Sequence, residues 1–167
     1  LTGKGRPCTI NKIKRSGYLE MTVRFSQSSK YAILALTALA ARDGGPATVH
    51  ELAEAAGVPQ AYLAKLVPPL ARAGLLASSR GRGGGVHLAR PAGGIALADV
   101  IRALDGEGVF QECPFEVAPC PGNPACPLQP VWDPLRARIV DFLAATTLAD
   151  VTRKIGSPAL RARRRFA

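Results

Sequence analysis

The feature that most constrains the fold is a run of helix punctuation between residues 46 and 74. Thr48-Val-His-Glu51 has capping-box spacing, in which the threonine hydroxyl and the glutamate carboxylate each satisfy a free backbone donor at a helix start. Leu52, Ala53 and Ala56 then recur on one face, and Gly57 closes a helix of about two turns. Val58-Pro59 opens the next helix, since proline tolerates a first helical position. This third helix runs through Tyr62, Leu63, Leu66 and Val67 towards Gly74. A short helix, a tight turn and a longer helix form the spacing of a helix-turn-helix.

The flanks fit that unit. Tyr31, Leu34, Ala35, Ala38 and Leu39 predict a first helix over 28–41, ended by Asp43-Gly44-Gly45-Pro46. Candidate strands at 75–79 and 86–89 are joined by Arg80-Gly-Arg-Gly-Gly-Gly85. Glycine lets this turn be tight and approach a ligand closely. A hairpin directly after a helix-turn-helix is a wing. Pro68-Pro69 in the third helix removes two backbone donors, so a kink or break is expected after Leu66, leaving the first two turns as a reading head. Leu97–Leu104 predicts a short helix stopped by Asp105-Gly106. Asp133-Pro134 predicts the cap and first residue of a long helix with an apolar stripe of Leu135, Ile139, Phe142 and Leu143. A terminal helix beyond so small a domain has little of its own domain to cover, and the stripe is expected to be a dimer seam. No internal repeat is present. The expected class is mainly α with a small β-hairpin wing: a winged helix-turn-helix plus a long C-terminal dimerisation helix.

Charge sharpens this picture. The net charge is +10 over 167 residues, but +4 of it falls in residues 1–20 and +6 in 153–167, leaving the middle neutral. Within that middle no acid occurs between Glu54 and Asp99, whereas Lys65, Arg72, Arg80, Arg82 and Arg90 do. From Asp105 to Glu116 the sign reverses. A basic module beside an acidic one suits polyanion binding by the first. With the third helix entering a major groove, Gln60, Ala61, Ala64 and Lys65 are the expected base-facing residues, Arg80 and Arg82 reach phosphates or the minor groove, and His87 assists. Met21 opens the patterned region and is the expected natural start, with 1–20 an upstream extension. The longest apolar run, Tyr31–Ala41, is too short to span a bilayer. Arg24 and Lys30 also crowd it, against a signal peptide. A cytoplasmic protein is expected. No C-x-x-C pair, nucleotide loop or Ser/His/Asp set supports an enzyme.

Cys113, Cys120 and Cys126 lie in a Pro- and Gly-studded loop. Residue chemistry alone leaves three readings open. A disulfide set leaves one cysteine over unless distant Cys8 joins it. A zinc site lacks close cysteine pairs and a fourth ligand, because His50 and His87 lie far upstream. An iron–sulfur cluster suits three thiolates with a fourth position filled by another group.

From Met21 to about Val151 the chain resembles the Rrf-two family of bacterial winged-helix repressors, in its IscR/NsrR-like cluster-binding group. The residues that carry the resemblance are Lys30-Tyr-Ala-Ile-Leu-Ala-Leu, Val58-Pro-Gln-Ala-Tyr-Leu-Ala-Lys65-Leu, Ala73-Gly-Leu-Leu, Arg80 to Gly85, Leu97-Ala-Asp-Val-Ile-Arg-Ala-Leu-Asp-Gly and Cys126-Pro-Leu-Gln-Pro-Val-Trp132. The resemblance implies a homodimer on double-stranded DNA at a pseudo-palindromic operator, with Cys113, Cys120 and Cys126 binding a 2Fe–2S or 4Fe–4S cluster that controls affinity. Some members place a histidine three residues after the last cysteine, where this chain has Gln129. Others use an acid near the start of the first helix, where it has Lys30. Gln129, Glu112 and Glu116 are therefore the candidate fourth ligands, and a labile, partly open cluster is expected. A winged-helix regulator with a zinc or thiol-switch loop is the alternative. The expected organisation is an extension (1–20), a winged helix-turn-helix (21–97), a short helix with the cysteine loop (98–129), a dimerisation helix (130–151) and a basic tail (152–167).

Overall fold

In a computed structural model of the protein, residues 25–42, 45–81, 83–111 and 126–154 are described. Five α-helices follow in order, α1 (Gln27–Ala40), α2 (Val49–Ala56), α3 (Gln60–Arg72), α4 (Leu97–Asp105) and α5 (Gln129–Ala145), with the strands β1 (Leu76–Ser79) and β2 (Gly85–Leu88) between α3 and α4. Short 3-10 turns cover Ala92–Gly94 and Glu107–Phe110. A further helical stretch occupies 148–154.

α1 starts where Ser26 accepts the Ser29 N–H, an N-cap bond. Its alanines 32, 35 and 38 are buried with Leu36 and Leu39, and small residues let α2 and α4 approach it closely. The core continues through Leu52, Leu63, Leu66, Leu70, Leu75, Ile95, Val100 and Ile101. Each such leucine or isoleucine contributes about 1.5–3 kcal/mol on burial. The strands pair antiparallel with Leu76 opposite Leu88 and Ser78 opposite Val86, and Ala47 adds an antiparallel bridge to Val86. Ala47 N–H donates to Val86 at 2.9 Å and Val86 N–H returns the bond at 2.8 Å, so the wing is tied to the chain entering α2.

The Thr48–Glu51 capping box is present: the Thr48 N–H donates to Glu51 Oε2 at 2.8 Å and the Glu51 N–H donates to Thr48 Oγ1 at 3.2 Å. Gly57 closes α2 in the left-handed region at φ 65°. Three expectations need correction. First, α3 does not break after Leu66; Pro68 and Pro69 lie within a continuous helix. They deprive only the Ala64 and Lys65 carbonyls of donors. Both residues are exposed and open to water, while buried Leu63, Leu66 and Leu70 hold the helix on the core. Second, α5 begins at Gln129, one turn before Asp133. Trp132 N–H bonds Leu128 O at 2.9 Å, Pro130 occupies the first turn, and Pro134 is interior. Pro130 was the proline that marked the start. Third, no helix runs unbroken to residue 151. α5 stops at Ala145, Thr147 bridges Ala96, and Leu148 N–H donates to Ile95 O at 2.9 Å. This return buries Leu148 completely and ties the residues after α5 to the segment that leads into α4. α4 packs on α1, α3 and α5.

Among the described residues no helix is long and apolar enough to cross a membrane.

Candidate nucleic-acid interface

α3 divides into two faces. Leu63, Leu66 and Leu70 are buried, whereas Gln60, Ala61, Ala64 and Lys65 are all exposed. The turn before it is fixed from both ends: Val58 is buried, its N–H donates to Ala53 O at 2.9 Å, and Pro59 precedes the first helical residue. Tyr62 is half-buried. Its ring meets Tyr31 edge-on at 5.2 Å and its hydroxyl lies 2.9 Å from Ser28 Oγ, so the start of α3 is locked to α1. The four expected base-facing side chains therefore share one solvent face on a rigid support.

Sequence reasoning missed a contact on this face. His50 Nδ1 lies 3.1 Å from Gln60 Oε1. The ten-residue separation carries no periodic signal, because it depends on the angle between α2 and α3.

The wing supplies the second element. Arg80 is exposed where β1 ends, Gly81 and Gly83 adopt φ 102° and 80°, and Gly84 N–H closes the turn on Gly81 O at 2.9 Å. A Cβ at Gly84 would stand 2.4 Å from Ser79 O, and one at Gly85 would stand 2.4 Å from Ala47 O. Those glycines are required for the tightness of the hairpin and its seat on Ala47. His87 pairs with Ala77 and is half-buried on the face of the hairpin opposite Val86. Arg82 lies outside the described residues. Arg90 is paired within the fold: its guanidinium bonds Asp99 at 2.9 Å, and Asp99 also accepts the Ala96 N–H that starts α4.

Cys113, Cys120, Glu112 and Glu116 fall outside the described residues. Cys126 is a free, half-buried thiol three residues before Gln129. Gln129 Nε2 donates to Asp133 Oδ2 at 3.3 Å, and Arg136 Nη2 lies 2.9 Å from Asp133 Oδ1. Gln129 Oε1, Trp132 Nε1, Asp133 Oδ1 and Arg136 Nη1 are buried and lack a hydrogen bond; the Asp133–Arg136 pair is thus an ionic contact without hydrogen-bond alignment. Open acceptors and donors beside a free thiol fit a group that carries both Lewis-acidic metal and electron-rich sulfur. No group of three His, Cys, Asp or Glu converges among the described residues. Lys30, on the first turn of α1, is exposed.

Of the expected seam, Leu135 and Phe142 are exposed at 44% and 61%, and Leu128 and Val131 extend the same surface at 45% and 74%. Ile139 is half-buried against the core and Leu143 is buried within it. Leu143 is therefore withdrawn from the seam: its side chain is buried in the core of its own subunit, where α5 packs on α4.

The family model for Rrf2, described as an iron-dependent transcriptional regulator, matches residues 25–154. An HTH-type transcriptional regulator of Mycobacterium tuberculosis is 38% identical over 131 residues, covering 77% of this chain and 81% of that protein. The transcriptional regulator IscR of Photobacterium profundum is 35% identical over 133 residues, covering 78% and 76%. Among solved structures, CymR, the global cysteine regulator of B. subtilis, superposes with a TM-score of 0.67 at 27% identity, covering 80% of this chain and 98% of that one.

Proposed function

This chain belongs to the Rrf2 family and is a transcriptional regulator rather than an enzyme, and from that premise we propose that it is a cytoplasmic, homodimeric repressor whose grip on a pseudo-palindromic operator is set by an iron–sulfur cluster. The observation that carries the DNA-binding part is the exposed face of α3, Gln60, Ala61, Ala64 and Lys65, standing beside a glycine-built wing that presents Arg80. The helix start enters the major groove and reads base edges, while Arg80 and Arg82 hold phosphates or the minor groove and His87 lines the wing's outer face. Two copies joined along Leu128, Val131, Leu135 and Phe142 place two heads on half-sites one helical turn apart. Ile139 steadies α5 beneath that seam.

Cys113, Cys120 and Cys126 are the thiolates for the cluster, with Gln129, Glu112 or Glu116 completing it. When bound, the cluster would supply an iron- and redox-responsive centre. The chain's own part is to couple that centre to the reading head. Asp105, where α4 leads into the cysteine loop, bonds the first turn of α1, and α1 holds Tyr62 at the start of α3. A difference of 2–3 kcal/mol between loaded and unloaded states changes DNA affinity by roughly 30- to 150-fold.

The test is the visible absorption of anaerobically purified protein, with iron and sulfide assays and operator binding on the same sample. A visible band lost in Cys113→Ala, Cys120→Ala and Cys126→Ala variants, together with a change in affinity, is the expected result. Colourless protein that binds zinc, or switches only on thiol oxidation, would replace the cluster with a zinc or thiol-switch loop. That second reading is favoured by one comparison, the likeness to a cysteine regulator.

A further inference from the structure

Gln60 is the first residue of α3 and His50 the second of α2, so a contact between them joins the first turns of both helices of the helix-turn-helix. Their exposed side chains meet across the turn, with His50 Nδ1 3.1 Å from Gln60 Oε1. The other ring nitrogen, Nε2, lies 4.0 Å from Glu54 Oε2, one turn further along α2.

An amide oxygen only accepts, so the proton of this bond is on His50 Nδ1 and the carboxamide is held by its oxygen. A glutamine amide held this way is no longer free to turn over. Its oxygen has two lone pairs. With one taken by His50, the other stands beside Nε2 on the outer edge of the amide. An edge of one acceptor and one donor matches adenine, which presents the N6 donor and the N7 acceptor in the major groove. Guanine presents two acceptors there and cytosine a donor alone, so neither matches both atoms. A phosphate is the other partner that an exposed histidine beside DNA can take. Nε2 is the nitrogen left for it, and the carboxylate of Glu54 beside that nitrogen repels an anion.

We propose that His50 is a positioning residue for base reading: it fixes the carboxamide of Gln60 so that α3 reads an adenine at one position of each half-site. The proposal rests on the DNA-binding reading above. A glutamine that is free before docking must be immobilised on the base, which weakens binding by roughly two- to twelvefold. His50 orders the side chain before DNA arrives. Docking also expels water from the start of α3, which strengthens the bond between the two side chains.

The experiment uses the full chain, purified anaerobically, and a pool of duplexes randomised over about two helical turns. The sequence that wild type selects is remade with each of the four base pairs at every position. Affinities for this set and for unselected DNA are measured at one salt concentration. Gln60→Ala is expected to abolish an adenine preference of roughly 5- to 150-fold at one position of each half-site. His50→Phe keeps a ring and removes the donor. It is expected to weaken that same preference by roughly two- to twelvefold, to leave other positions and unselected DNA unchanged, and to add nothing in a Gln60→Ala background. His50→Asn, whose Nδ2 stands as many bonds from the backbone as histidine Nδ1, is expected to restore the preference. Should His50→Phe melt below wild type, His50→Ala and His50→Asn decide. If Gln60→Ala lowers the preference but His50→Phe leaves it, or weakens every duplex alike, His50 does not position Gln60 and the reading head stands without it. A lost preference for a base other than adenine overturns the amide orientation. If Gln60→Ala changes no position, the proposal falls and DNA binding stands. Wild type that selects no sequence from the pool overturns the DNA-binding reading itself.

Discussion

Replacing Asp105 by alanine tests what holds α1 in place. The Asp105 carboxylate accepts the Ser26 N–H at 3.1 Å, the Ser29 hydroxyl at 2.9 Å and the Ser26 hydroxyl, and so ties the end of α4 to the first turn of α1 across 76–79 residues of chain. Ser29 is fully buried, so its hydroxyl loses a partner that water does not readily replace. An unmet buried hydroxyl costs about 1–3 kcal/mol. Loss of a negative charge at a helix N-terminus costs about 0.3–1 kcal/mol more. Ser29 can recover part of this by turning its hydroxyl to a carbonyl of the preceding turn. The expected loss for Asp105→Ala is therefore about 2 kcal/mol, and about half that for Asp105→Asn, which keeps one acceptor. Urea unfolding of the full chain, followed by circular dichroism at one fixed protein concentration, measures it, since an associating chain's stability depends on concentration. The decisive arm is a double-mutant cycle. In a Ser29→Ala background Asp105→Ala should cost about 1 kcal/mol less, because no buried hydroxyl is left waiting. A loss under about 0.5 kcal/mol for Asp105→Ala, or strict additivity in the cycle, would refute the argument.

Arg80→Ala should weaken operator and random DNA alike and reduce the salt slope by about one, whereas Lys65→Ala should relax base preference; equal losses on both DNAs for Lys65→Ala would remove Lys65 from the reading head. Gly85→Ala places a methyl group against the Ala47 backbone, so the wing must shift; a stability loss of about 1–3 kcal/mol is expected in thermal melts, together with weaker DNA binding. Phe142→Asp should shift sedimentation towards monomer without unfolding the chain, since that side chain is 61% exposed. Glu51 is held below the ordinary carboxylate range first by the Thr48 N–H and then by its hydroxyl, and Asp150 first by the Thr147 hydroxyl and then by its N–H. Depressed carboxyls contribute stability that is complete above their unfolded-state pKa and is lost as pH falls through the folded one, so both contributions should begin to fall near the ordinary carboxylate pKa of about 4 and be gone only below the depressed folded-state pKa. Carboxyl titrations followed by NMR should move part of the way back to the ordinary range, further for Asp150 in Thr147→Ala than for Glu51 in Thr48→Ala, because alanine keeps the backbone N–H and the hydroxyl is the leading cause only at Asp150.

Most of the winged head was legible because its signals are local. The Thr48–Glu51 box, Gly57, the Arg80–Gly85 turn and the stop at Gly106 each act within a few residues, and the structure places them where the sequence does. Prolines were harder. Proline reports what a backbone lacks, whereas the outcome depends on what tertiary packing supplies. Leu66 and Leu70 hold α3 through Pro68-Pro69 because the freed carbonyls of Ala64 and Lys65 meet solvent. Equally, Pro130 and Pro134 are each compatible with a helix start, and residues on both sides settled which one it was. Asp105 was legible only as a helix stop. Its bonds to Ser26 and Ser29 join segments nearly eighty residues apart, and no pattern within either segment announces them.

The same distinction explains where the site became visible. Gln60, Ala61, Ala64 and Lys65 follow from helical periodicity once the buried face of α3 is known. The group around Gln129 does not, because Trp132, Asp133 and Arg136 read as an ordinary amphipathic turn until one polar atom of each proves buried without a hydrogen bond. A helix spacing of three, four and seven could have singled out the stripe, but only burial shows that it is costly. That cost runs opposite to the exposed apolar surface of Leu128, Val131, Leu135 and Phe142 on the same helix. One helix thus presents apolar side chains to solvent and polar atoms to the interior, an inversion of ordinary patterning. A monomer gains nothing from either arrangement. Both are resolved if α5 meets a partner along its apolar surface and a bound group along its polar one, which would make dimerisation and cluster loading two demands on a single helix.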